Sequence, residues 1–239
     1  MALRIEDVAS YLGLELHDPY GRIVGTLVTF YSNVHGEVEG FEVKVSDDRI
    51  QHFEADKIRV EDNKLVVLPE WKYRALRVIE ALDRALKRKK AIEKTLSQTD
   101  LPSSVIDVYL KKLNDDIKRL KDEASKAKAE IKVRINRIED EVLHVDRALV
   151  NLQIIYLSGE VSDTAFRKSS EQLKRVKDWL LQEKNDAREV IEKIEKLESS
   201  PVLLSEAVSR KPKQQPPQSK APGNVNVGSD DVVVMLGGE

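Results

Sequence analysis

The residue types that most often do chemistry are sparse in this chain, and their spacing is unhelpful to it. There is no Cys, which removes thiolate nucleophiles, disulfides and thiolate metal sites. His17, His35, His52 and His144 form no pair at ligand spacing, and none sits beside a candidate nucleophile. The Asp and Glu residues fall where solvated helix faces and loops account for them. Gly21-Arg22-Ile23-Val24-Gly25 carries the glycines of a phosphate loop, but no helix opening on Lys-Ser/Thr follows it, so a turn into a strand fits better. The sequence therefore predicts no catalytic, cofactor or metal site and a protein that is not an enzyme.

Binding chemistry is better represented. Between Lys72 and Lys94 lie nine basic residues, Lys72, Arg74, Arg77, Arg84, Lys87, Arg88, Lys89, Lys90 and Lys94, against three acidic ones. Such a cluster attracts phosphate, on DNA or on anionic lipid headgroups, and the competing reading is an ordinary solvated helix face. Charge alone does not choose between DNA and lipid. The second candidate is the C-terminal Asp230-Asp231-Val232-Val233-Val234-Met235-Leu236-Gly237-Gly238-Glu239. Val232, Val233, Val234, Met235 and Leu236 are five consecutive apolar residues of high β propensity at the tip of a polar tether. They read as a strand that adds to the sheet edge of a partner.

Long helices must carry these features. From Ile106 to Tyr156 apolar residues recur at alternating spacings of four and three, through Leu110, Leu113, Ile117, Leu120, Ala124, Ala127, Ile131, Ile135, Ile138, Val142, Val145, Leu149 and Leu152. This is a coiled-coil seam, roughly 75 Å long at 1.5 Å per residue, with a four-residue stutter between Ala127 and Ile138. A seam of that length needs a partner, so Leu113, Ile117, Leu120, Ile131, Ile135, Ile138, Val142, Val145, Leu149 and Leu152 are the expected self-assembly positions, for a dimer and a filament. Ser158-Gly159-Glu160-Val161-Ser162-Asp163 then breaks the helix. A second stripe follows from Phe166 through Leu173, Val176, Leu180, Ala187, Val190, Ile194 and Leu197, with Ser169 and Glu183 as its polar positions. The short break predicts that this stripe folds back antiparallel on the first.

Ahead of the helices, residues 1–69 contain short alternating apolar runs separated by turns, among them Asp18-Pro19-Tyr20-Gly21 and Asp62-Asn63. Five or six strands in so short a span favour a small barrel. This head is acidic, with 7 Lys/Arg against 14 Asp/Glu in residues 1–70, and the helices are basic, with 29 against 24 in 71–198. Aromatic content of 5% and charged content of 34% suit extended helices better than one large core. After Glu198, five of the eight prolines fall in 199–229, a composition expected of a disordered linker. The expected organisation is α+β: a barrel over 1–69, a helical coiled-coil stalk over 70–198 with helices about 70–98, 104–157 and 163–198, a linker over 199–229 and a binding peptide over 230–239. No run is apolar enough to span a membrane, and the N-terminus lacks a signal peptide's order. An intracellular setting agrees with the absence of Cys.

The G-R-I-V-G entry, the charged hairpin and the strand closing at V-V-L-P resemble the PRC-barrel family. Over the whole chain, the order of barrel, basic helix, coiled coil, Pro-rich linker and terminal strand resembles the archaeal CdvA family of cell-division proteins. The terminal D-D-V-V-V-M-L-G-G, Asp230 to Gly238, looks like that family's ESCRT-III-binding motif. The resemblance implies a polymerising protein in the cytoplasm, peripheral at the inner face of the membrane at mid-cell and linked to DNA or the nucleoid. It also implies an ESCRT-III-like partner, CdvB, that receives the tail by strand addition. A DNA-organising or chromosome-segregation coiled-coil protein is the alternative.

Overall fold

A computed structural model describes residues 3–98 and 103–199; the expected linker from Ser200 onward and the peptide at 230–239 lie outside the described residues. The fold class is α+β, a six-stranded sheet followed by long helices. A single helical turn, α1 (Ile5–Val8), precedes β1 (Glu15–His17), β2 (Ile23–Ser32), β3 (Val38–Ser46), β4 (Arg49–Glu54), β5 (Ile58–Glu61) and β6 (Lys64–Val67). The strands lie in the order β4-β3-β2-β1-β6-β5, antiparallel except where β1 meets β6 at His17 and Val66. The ladder does not close into a continuous barrel: β4 and β5 are its edges.

Local chemistry sets the hairpins. Asp62 and Asn63 both take positive φ between β5 and β6, the two-residue turn whose twist matches its strands. Between β2 and β3, the Asn33 side-chain oxygen accepts from the backbone N–H groups of His35 at 2.9 Å and Glu37 at 3.1 Å. Gly25 lets β2 approach β3 closely, since a Cβ there would lie 2.4 Å from the Lys44 carbonyl oxygen. Irregular registers in β1–β2, β2–β3 and β3–β4 bend the sheet over a core of Val8, Leu16, Leu27, Phe41, Val43 and Leu65.

Three helices follow: α2 (Glu70–Gln98), α3 (Ser103–Leu157) and α4 (Asp163–Ser199). The α3–α4 turn is capped at both sides. Gly159 takes positive φ, its N–H donates to Tyr156 O and the Glu160 N–H to Ile155 O, so the last carbonyls of α3 are satisfied. Ser162 Oγ accepts from the Ala165 N–H at 3.3 Å to start α4, and Tyr156 stacks on Phe166 with ring centroids 4.2 Å apart. These contacts send α4 back antiparallel along α3. The long seam thus finds its partners within one chain, and one of them is α2. Ala75 of α2, Ala124, Ala127 and Ile131 of α3, and Ala187, Val190 and Ile194 of α4 form one core cluster. Small side chains on all three helices let the backbones approach. Further along, Leu82 and Ala85 pack with Ile117, and Ile138 and Val145 pack with Leu180.

Candidate functional site

Where the sheet meets the helices, a buried carboxylate collects three donors. Glu183, on the core side of α4, is 1% exposed. Arg134 Nε donates to its Oε1 at 2.7 Å and Arg134 Nη2 to its Oε2 at 2.8 Å. Trp71 Nε1 donates to Oε1 at 3.1 Å, and Arg22 Nη2 lies 2.8 Å from Oε2. Arg22 also donates from Nε to Asp18 at 2.5 Å, while Asp18 Oδ1 accepts the backbone N–H groups of Tyr20 and Arg22. One turn along α4, Asp186 accepts from the Tyr20 hydroxyl at 2.6 Å and pairs with Lys72 at 2.8 Å. The turn before β2, the start of α2, the middle of α3 and α4 are therefore tied at one point.

The electrostatics follow from this geometry. Burial alone would raise the Glu183 carboxyl, but the Arg134 hydrogen bonds and the charges of Arg22 and Arg134 outweigh it and hold the group below the usual carboxylate range. Arg134 is correspondingly raised by its hydrogen bonds to Glu183. Burial, with the bond to Asp186, pushes the Tyr20 hydroxyl well up. Sequence reading marked Glu183 as a polar interruption of its stripe and Arg22 as part of a turn into a strand, but it paired neither arginine with that carboxylate.

The basic cluster divides in two. Its first part is engaged inside the molecule: Lys72 with Asp186, Arg74 with Glu70 at 2.9 Å and Glu130 at 3.5 Å, and Arg77 with the Tyr73 hydroxyl at 2.9 Å. Arg84 pairs with Glu80 and Lys87 with Asp83 along α2. Arg88, Lys89 and Lys90 have no side-chain partner among the described residues, and Arg88 and Lys90 are exposed. The stripe positions face the chain's own helices: Ile117, Ile131, Ile138 and Val145 are buried, and Leu113, Leu120, Ile135, Val142 and Leu149 pack against their clusters. Leu152 is half-buried. His52 pairs with Glu42 at 3.0 Å on the sheet surface, and His144 lines a groove of about 490 Å³ beside Val145, Val176, Trp179 and Leu180. Val232 to Leu236 fall outside the described residues.

The CdvA-like coiled-coil domain family matches residues 70–217. A relative from Sulfolobus acidocaldarius, Cell division protein A, is 30% identical over 209 residues, which is 87% of this chain and 87% of that protein. No solved structure matches the chain.

Proposed function

Since the chain belongs to the CdvA family, we propose that it is a non-enzymatic cell-division scaffold that self-associates and recruits a partner through its C-terminal strand. The observation that carries this reading is the likeness to Cell division protein A along nearly the full length of both chains. The partner is an ESCRT-III-like protein, CdvB, and the contact is strand addition by Val232 to Leu236. Assembly takes place on a polyanionic surface, membrane or DNA, attracted by the basic cluster of α2, of which Arg88, Lys89 and Lys90 have no side-chain partner among the described residues. No helix among the described residues is long and apolar enough to cross a membrane, so attachment is peripheral. The seam residues contribute by holding three helices in one body, and the copies associate through outer faces. Calorimetry of a synthetic 230–239 peptide against the ESCRT-III-like partner is the test, with saturable 1:1 binding expected.

These three cations, without a side-chain partner among the described residues, also favour a second reading, a DNA-organising protein whose tail is secondary. Sedimentation with DNA and with anionic vesicles separates the readings, because a DNA organiser retains DNA when residues 230–239 are removed.

A further inference from the structure

The three helices are offset along the bundle. Trp71 reaches Glu183 and Arg74 reaches Glu130, which puts the start of α2 abreast of the middle of α3. Beyond Ile138, α3 and the first half of α4 run on as a pair, and Ile138, Val145 and Leu180 pack without a residue from α2. The place α2 holds lower down is taken by no helix of the described residues there, and Arg22 of the turn before β2 borders it. This place forms the groove of about 490 Å³ whose floor is Val145, Val176, Trp179 and Leu180 and whose rim carries Asp140, Glu141, His144 and Arg22. Glu141 is tied to Arg134 at 3.1 Å, whereas Asp140 has no partner among the described residues.

This groove suits one kind of occupant. Arg22 and Glu141 are held in internal pairs, so the rim's uncompensated charge is the Asp140 carboxylate; with the apolar floor and the aromatic Trp179 it fits a helix whose long cationic side chains lay their aliphatic stems on apolar surface. The chain carries such a helix itself. In the second half of α2, Lys87 to Lys90 are four consecutive cations, and three of them have no side-chain partner among the described residues. Within one molecule the two features sit apart: the groove lies beyond the start of α2, and the cations lie more than a dozen residues into α2 on its way toward the other end of the bundle.

We propose that the groove between α3 and α4 receives the basic second half of α2 from a second copy of this chain. Each copy then offers one groove and one basic segment. Such a contact is heterologous and repeats without closing when the rotation does not return on itself, which produces a filament. The inference rests on the reading that copies self-associate, and it specifies the surfaces that do so.

The test is sedimentation of the full chain without nucleic acid or lipid, in low and high salt. Charge reversal of the segment (Arg88→Glu, Lys89→Glu, Lys90→Glu) and of the rim (Asp140→Lys) should each lower the sedimenting fraction about tenfold, and rising salt should lower that of the parent chain. An equimolar mixture of the two variants should recover assembly, because each reversed segment then meets a reversed rim while each original segment meets an original rim. Neither a DNA-binding role for the cations nor misfolding of one variant yields that recovery. Variants that sediment like the parent, or a mixture no better than its components, would overturn the groove contact and leave self-association standing. A parent chain that never sediments would remove self-association and this contact together.

Discussion

Arg134 and Glu183 meet side-on, Nε to Oε1 at 2.7 Å and Nη2 to Oε2 at 2.8 Å, which is the two-pronged geometry that guanidinium and carboxylate share. Glu183 is almost fully enclosed, yet both its oxygens also take a second donor, Trp71 on one and Arg22 on the other. A buried ion pair gains little over an apolar pair of the same volume, but loss of one partner leaves the other charge stranded. The junction is therefore better regarded as a device that fixes the orientation of the sheet on the helices than as a source of net stability.

Glu183→Gln tests that view. It keeps the shape and an acceptor for Trp71 Nε1 but leaves Arg134 and Arg22 facing a neutral amide. A loss of about 3 kcal/mol is expected in urea unfolding, in the range for breaking one side of a buried pair. Proteolysis at the Pro69 joint should also speed up, since the sheet is then held less firmly. A variant as stable as the parent would show that water already satisfies the two arginines.

The pH dependence has a definite sign. Glu183 sits below its ordinary value when folded, so its stabilising effect is fully present above the unfolded value of about 4.3 and is lost as pH falls through the folded value. The stability gap between the parent and Glu183→Gln should stay level near neutrality and narrow only below about pH 4. Urea midpoints taken at several pH values check this. A gap that shrinks between pH 8 and 6 would point to a different titrating group.

The α+β class was legible because its signals are local. Alternation with turn residues marks strands, and spacings of four and three mark helices, whatever they pack against. The seam's partner was harder to read. Ala75, Ile79 and Leu82 give α2 an apolar face, but nothing in that face states whether it meets α3 of its own chain or another molecule. Arg22 was harder still, because its contact with Glu183 joins a turn in the sheet to a helix far away in sequence. Its spacing to that residue carries no period. Glu183 stood out only as a charge in a core position.

The placement of Ile131 changes what its substitution should do. It is fully buried among Ala75, Ala187 and Val190, so Ile131→Asp sets a carboxylate among apolar side chains and the bundle itself is the casualty. A loss of at least about 4 kcal/mol is expected, with circular dichroism reporting lower helicity at any chain concentration. A helical, stable variant that has lost only its assembly would instead place Ile131 between copies.

The terminal peptide makes the sharpest demand on the scaffold reading. In an added strand successive side chains alternate, so Val232, Val234 and Leu236 share one face and Val233 and Met235 the other. Main-chain hydrogen bonds to the partner's edge supply affinity, and one face fills pockets. Burial of a Val or Leu is worth roughly 1.5–3 kcal/mol, so Val234→Asp should weaken binding of the 230–239 peptide at least about tenfold if its face is the pocket face. Val234→Pro should do the same where its N–H pairs, because Pro removes that donor. Assembly of the full chain should survive both changes, since the groove and the basic α2 segment lie elsewhere. Calorimetry on the three peptides, beside sedimentation of the matching full-length chains, reads both properties. If both substituted peptides bind as tightly as the parent peptide, recruitment by strand addition fails, and the DNA-organising reading becomes the better account of the chain.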